Sequence, residues 1–169
     1  MSSDPIGIFD SGVGGLTVCK AISDLLPGER LIYFGDTGRF PYGTRSMDTI
    51  VRYSREIADY LKSRCVKMIV IACNTASATA LDVLRNENDI PVVGVIQAGA
   101  RAACAAANDS TIGVIATRAT VQSGSYVKAI RSIMPEAGVI QRHATIFVSL
   151  TEEGWLDDEI TRLTAKKYI

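Results

Sequence analysis

The chain has 169 residues, 47% of them hydrophobic and 21% charged, a globular composition that excludes intrinsic disorder and a disulfide miniprotein. At about 150 residues per domain it is long enough for one compact domain or two small lobes. Eighteen basic residues balance eighteen acidic ones, so no net positive field gathers polyanions and no nucleic-acid partner is expected.

The start, Met1-Ser2-Ser3-Asp4-Pro5, lacks the basic region and apolar stretch of a secretory signal. No unbroken apolar run exceeds six residues, as in Met68 to Cys73, against about 20 for a membrane-spanning helix. A cytoplasmic location without a membrane partner is therefore the expectation. Along the chain, short β-branched runs alternate with longer stretches of helical pattern. Strands are expected at 5–10, 30–35, 67–72, 91–96, 111–116 and 139–150, the last interrupted; helices are expected near 14–26, 46–64, 76–88, 98–108, 120–134 and 155–168. Almost continuously apolar strands such as Ile69-Val70-Ile71-Ala72 suit a parallel sheet covered on both faces. The fold class is thus α/β, an open sandwich whose ligands lie beyond the carboxyl ends of the strands.

Ile6-Gly7-Ile8-Phe9-Asp10-Ser11 is echoed by Ile112-Gly113-Val114-Ile115-Ala116-Thr117, at an offset of 106 positions. Both are strands ending in a hydroxyl residue. The echo divides the chain into two similar open α/β lobes with mostly parallel sheets, residues 1–96 carrying Asp10 and Cys73 and residues 97–169 forming the second lobe. A cleft is expected between their strand ends. The second lobe has only two or three strands against four in the first, so the sequence reads as incomplete at its carboxyl end. Apolar surface is expected to stand exposed there.

The four cysteines fall at 19, 65, 73 and 104, without a Cys-x-x-Cys pair, and the single His143 has no partner nearby. No metal site is expected. Cys19, Cys65 and Cys104 lie within or beside helices and read as packing residues. Cys73 stands apart, on the turn from the third strand into its helix, where a helix N-terminus favours thiolate. A buried cysteine serving as a small hydrophobe is the plainer alternative. Asn74 and Thr75 follow at once, polar groups that packing does not require and that suit a carboxylate or amino group. A cysteine phosphatase would need Arg six residues after the thiol, where Thr79 stands. A cysteine protease would need an activating histidine, and His143 reads as a structural or surface residue. A thiolate acting on a carbon acid needs only an acid or amide to tune it.

Asp10 ends the first strand and opens the turn Asp10-Ser11-Gly12-Val13-Gly14-Gly15, whose amides could hold an anion. Thr17 stands where a dinucleotide-binding Gly-x-Gly-x-x-Gly needs its third glycine, and no P-loop lysine is present. Asp10 either faces the ligand crevice or caps the helix. Pro41-Tyr42-Gly43 sits in a connection longer than usual, fit to close over a cleft. Thr117 and Thr120 decorate the fifth strand's end, Thr120 as a site residue or a cap. Glu152-Glu153-Gly154 reads alone as a solvated acidic turn.

Taken together, five ordered motifs resemble the glutamate racemase family: Phe9-Asp10-Ser11-Gly12-Val13-Gly14-Gly15, Tyr33-Phe34-Gly35-Asp36-Thr37, Pro41-Tyr42-Gly43, Ala72-Cys73-Asn74-Thr75-Ala76-Ser77 and Glu152-Glu153-Gly154-Trp155. The resemblance implies a cofactor-independent isomerase that interconverts L- and D-glutamate for the bacterial cell wall, with two cysteines on opposite faces of the substrate's α-carbon. It implies that Cys73 acts on D-glutamate with help from Asp10. Ser11, Tyr42, Gly43, Asn74 and Thr75 would hold the amino acid, Thr117 would join them from the second lobe, and Glu152 would assist the other cysteine.

That other cysteine, in a Cys-Thr-His segment of the family, is absent, and carrying Cys73 forward by the offset of the echo lands ten positions past Ile169. The resemblance therefore implies a partial chain, unable to racemise with one base and retaining at most slow exchange of the α-hydrogen. Gln97-Ala98 stands where Glu-Pro is usual, and Ala144-Thr145 with Ser149 where Cys-Pro and Pro are usual. A homodimer is carried as an expectation. Two rival readings are a catalytically silent relative binding an amino acid or a protein partner, and a racemase of aspartate or another amino acid.

Overall fold

The structure, a computed structural model, describes residues 3–107 and 111–168. Met1, Ser2 and position 108, the end of the expected fourth helix, lie outside the described residues. Four parallel strands, β1 (Ile6–Asp10), β2 (Leu31–Gly35), β3 (Met68–Ile71) and β4 (Val92–Gly94), form one sheet in the order β2-β1-β3-β4. Side chains alternate across it. Ile6, Ile8, Val70 and Ala72 face α1 (Leu16–Leu25) through Val18, Cys19 and Ile22. Phe9, Ile69 and Ile71 face the opposite way, into the larger core with α2 (Met47–Ser63) and α3 (Asn74–Glu87). Central β1 is consequently buried over its whole length, as its unbroken apolar run requires.

Helix α2 shows how pattern becomes packing. Ser46 caps it by accepting the Thr49 amide at 3.3 Å, with Asp48 in the first turn and Lys62 in the last, each favoured by the helix dipole. Ile50, Ser54, Ile57, Ala58 and Leu61 recur at three- and four-residue intervals and form its buried stripe. Past its end Cys65 adopts φ 55 and is exposed. This corrects the expectation that Cys65 is a packing residue: it occupies a left-handed position after a helix terminus, where the chain reverses. Cys104 is buried and Cys19 half-buried in their respective cores.

A second, parallel pair of strands, β5 (Ile112–Ala116) and β6 (Val139–His143), carries α4 (Ile96–Ala107), α5 (Arg118–Ser123) and α6 (Ser125–Ile133). Ile96, Ala100, Cys104, Ile112, Ala129, Ile130 and Ala137 make its core. The helix expected over 120–134 is two helices, divided at Gly124 with φ 65, a conformation that glycine adopts without strain. The strand expected over 139–150 ends at His143. Ile146–Glu152 is helix α7, closed by the Phe147 and Val148 amides on the Ala144 and Thr145 carbonyls. The last helix, α8 (Glu159–Tyr168), starts later than the sequence pattern suggests because Asp158 accepts the Ile160 amide at 2.7 Å and caps it. Ile140, Ile160 and Leu163 stand exposed on this part. Among the described residues no helix is long and apolar enough to cross a membrane.

Leu61 is fully buried between α2 and the sheet. Leu61→Ala is expected to lower unfolding stability by about 2–5 kcal/mol through lost burial and the cavity left behind, read as a lower urea midpoint at unchanged denaturant slope.

Candidate active site

The carboxyl end of β1 delivers Asp10 into a buried position, where Oδ2 accepts the Gly12 amide at 3.0 Å and the Gly15 amide at 3.1 Å. The glycine-rich turn thus folds around an anion of its own. This corrects the expectation that these amides wait for an external anion: at Gly12 and Gly15 they are occupied by Asp10. Tyr33 on β2 closes the turn from the side, its hydroxyl donating to the Gly12 carbonyl at 2.9 Å.

Cys73 lies two residues past the end of β3 and is the N-cap of α3, which begins two residues before the start expected from the sequence. Its sulfur accepts the Ala76 amide at 3.4 Å, and its thiol donates to Ser11 Oγ at 3.5 Å. Only 6% of the residue is exposed. Burial, and next the Asp10 carboxylate, push the Cys73 thiol above its ordinary value, while the hydrogen bonds that the Ser11 hydroxyl and the Ala76 and Ser11 amides can give to the thiolate oppose this. The expectation of a thiolate favoured by the helix terminus is therefore corrected. Desolvation and a like charge outweigh these hydrogen bonds, and the resting group is the thiol.

The long connection after β2 forms the next wall. Tyr42, 1% exposed, sits in a 3₁₀ turn (Tyr42–Thr44) preceded by a cis Phe40-Pro41 bond. Its hydroxyl donates to buried Asp36, which also accepts Arg39 Nε at 2.7 Å. Arg39 reaches on to Glu56 of α2 and lies over the Tyr53 ring, 4.2 Å from its centroid. Burial and the Asp36 bond raise the Tyr42 phenol well above its ordinary value, keeping it a neutral donor.

The facing wall comes from the second strand pair. Thr117 caps α5 by accepting the Thr120 amide at 3.3 Å, so the cap is Thr117 and Thr120 is the residue capped. Its hydroxyl lies 2.9 Å from Thr75 Oγ1 and 3.0 Å from Thr120 Oγ1. Gly43 meets Thr117 so closely that a Cβ there would stand 2.7 Å from Thr117 Cγ2. Tyr126 of α6 donates its hydroxyl to Asn74 Oδ1 at 2.7 Å. Glu152, at the end of α7, is exposed, with Oε1 3.6 Å from where a Cβ on Gly12 would stand.

These walls enclose a cleft of about 660 Å³. Asp10, Ser11, Tyr42, Gly43, Cys73, Asn74, Thr75, Thr117 and Glu152 all line it, so every residue singled out from the sequence is brought to one place. His143 is exposed on β6 and does not line the cleft. Thr120, read from the sequence as a site residue or a cap, also lines the cleft; sequence reasoning missed Tyr126 as a lining residue and Asp36 as the support of Tyr42. Asp36 directly follows the end of β2 much as Asp10 ends β1, and the same positional reasoning finds it; Tyr126 carries no such mark. Among the described residues no group of three or more His, Cys, Asp or Glu is placed to hold a metal ion.

An open, parallel α/β protein with a thiol at a strand end, a buried carboxylate beside it and a hydroxyl-lined cleft is the class that fold and site define. The family profile for Asp/Glu/Hydantoin racemase matches residues 6–166, and the chain belongs to that family. It is 56% identical over 164 residues to the glutamate racemase of Geobacter metallireducens, an alignment covering 97% of this chain and 61% of the relative. Glutamate racemase of Syntrophus aciditrophicus is 47% identical over 165 residues, 98% of this chain and 61% of the relative. Among solved structures, glutamate racemase of Francisella tularensis in complex with D-glutamate superposes with a TM-score of 0.91 at 43% identity, over 99% of this chain and 63% of that one. The chain thus spans about three-fifths of the length of these relatives.

Because the Asp10 charge raises the Cys73 thiol, Asp10→Asn is expected to lower it and enlarge the thiolate fraction at neutral pH. Each unit of lowering gives about tenfold faster alkylation in that range. Iodoacetamide labelling of the Cys73 peptide, followed by mass spectrometry across a pH series, checks the shift; the wild-type rate should climb with pH beyond the ordinary thiol range.

Proposed function

We propose that this chain carries the D-glutamate-facing half of a cofactor-independent glutamate racemase, with a first lobe at residues 1–96 and a second at residues 97–169. The observation that supports it most directly is the Cys73 sulfur at the cleft, bonded to Ser11 and flanked by Asn74 and Thr75. In this reading Cys73 first gives its thiol proton to water and then, as the thiolate, takes the α-proton of D-glutamate. The electron pair left on the α-carbon is spread into the α-carboxylate, and the proton sits on sulfur. Returning it to the same face regenerates D-glutamate.

Asp10 holds the turn that carries Ser11 and tunes the thiol. Ser11, Tyr42, Gly43, Asn74, Thr75 and Thr117 hold the amino acid, and Glu152 assists proton transfer on the face away from Cys73. Inversion requires a second donor on that opposite face. Cys19, Cys65 and Cys104 do not line the cleft, so none of them fills that place. The chain by itself therefore does not racemise. The complete enzyme would act in the cytoplasm and supply D-glutamate for peptidoglycan.

Incubation with D-glutamate in heavy water tests this. Deuterium is expected to enter the α-position of D-glutamate slowly, without appreciable L-glutamate, and Cys73→Ser should slow the exchange by at least about 10²-fold, the usual worth of a positioned proton-transfer group. Appreciable L-glutamate overturns the one-base reading. Exchange that is absent, or indifferent to Cys73→Ser, overturns the assignment of Cys73.

A further inference from the structure

Asn74 is the first residue of α3 and stands exposed at the rim of the cleft. A carboxamide has one acceptor and two donors, so in isolation Asn74 would present either end to a ligand. Tyr126 removes that freedom. From the first turn of α6 its hydroxyl donates to Oδ1 at 2.7 Å. Both Nδ2 protons are left without a protein acceptor among the described residues. The phenol is held by its seat: it lies against Gly99 of α4, where a Cβ would stand 3.1 Å from the hydroxyl oxygen and 3.4 Å from Cε1, so any larger residue would crowd the ring. Burial also raises the phenol above its ordinary value, which keeps its proton in place at neutral pH.

We propose that Tyr126 is a positioning residue that locks the Asn74 carboxamide with its acceptor engaged and its two donors free. The cleft position beside Asn74 then favours an anionic acceptor, a carboxylate, over an ammonium group, which would have to share the oxygen already engaged by Tyr126. Since an unpaired polar end at a cleft rim is satisfied by whatever ligand complements it, fixing the end that is free selects the ligand's charge. Tyr126 never touches the reacting carbon. It acts through Asn74, across a bond that joins α3 to α6. The inference rests on the reading of the cleft as an amino-acid site, and adds to it where one carboxylate of the amino acid is received.

The test has two independent readouts on this chain. In the first, D-glutamate is titrated calorimetrically into the wild type, Tyr126→Phe, Asn74→Ala and the double variant. Tyr126→Phe is expected to weaken binding about 3- to 10-fold, the worth of one hydrogen bond, and in the Asn74→Ala background the same change should alter affinity less than about 2-fold, because the two residues act as one. An equal loss in both backgrounds overturns the proposal.

In the second readout the Asn74 side-chain amide is followed by ¹⁵N NMR without ligand. Tyr126→Phe should shift the Asn74 amide signals and speed their exchange with water, while leaving the dispersion of the remaining spectrum intact. Unchanged Asn74 amide signals overturn the proposal. Wild type that fails to bind D-glutamate counts against the amino-acid site itself, and the amide signals then decide the positioning role alone.

Discussion

The arrangement of the site depends on one buried negative charge. Asp10 lies where β1 ends, at the centre of a parallel sheet, and a carboxylate taken out of water there needs donors. The Gly12 and Gly15 amides supply them, and in doing so they bend the chain into the turn that presents Ser11 and opens α1. The glycine content follows from this constraint, because the backbone must wrap within hydrogen-bond reach of its own side chain. Ser11, placed by the turn, then accepts a hydrogen bond from the Cys73 thiol. Removing the charge would therefore disturb shape as well as electrostatics.

The same charge decides the resting state of the sulfur. A cysteine at a helix N-terminus is commonly pictured as a ready thiolate, and Cys73 does receive the Ala76 amide. Burial and the neighbouring carboxylate nevertheless prevail. A thiol held neutral is less reactive towards oxidants and electrophiles than a thiolate, since the thiolate is the reactive form. A cationic group brought close to it would reverse the balance.

Much of this was legible in the residues themselves. The alternation of β-branched runs with helical pattern located every strand of the first sheet to within about two residues, because central parallel strands are apolar on both faces and cannot be mistaken for half-buried ones. Polar residues at strand ends identified the cleft, since Asp10, Asn74 and Thr75 have no packing reason to be where they are. Legibility failed where local preference and tertiary context disagree. Ile146-Phe147-Val148 has strand-forming side chains, yet they close a helical turn on Ala144 and Thr145. Cys65 belongs to a residue type that is usually buried, and backbone reversal exposes it. The Tyr126 contact with Asn74 joins residues from different elements, and no local pattern marks such a pair; Asp36, Arg39 and Tyr42 share one connection, but nothing in its residue order says which of them pair.

The seam between the two strand systems has a further consequence. Thr75 to Thr117, Ser125 to the Ala78 carbonyl, and Tyr126 to Asn74 are all bonds between uncharged groups, and Gly43 adds a van der Waals contact with Thr117. Water replaces such bonds at a net loss of only about 0.5–1.5 kcal/mol each, whereas the Asp10 and Asp36 carboxylates are bound within the first sheet's own layer and do not cross the seam. Parting the two halves would thus wet hydroxyls and amides without separating any charged pair among the described residues, while the turn and the thiol, whose bonds lie on one side of the seam, keep their mutual geometry.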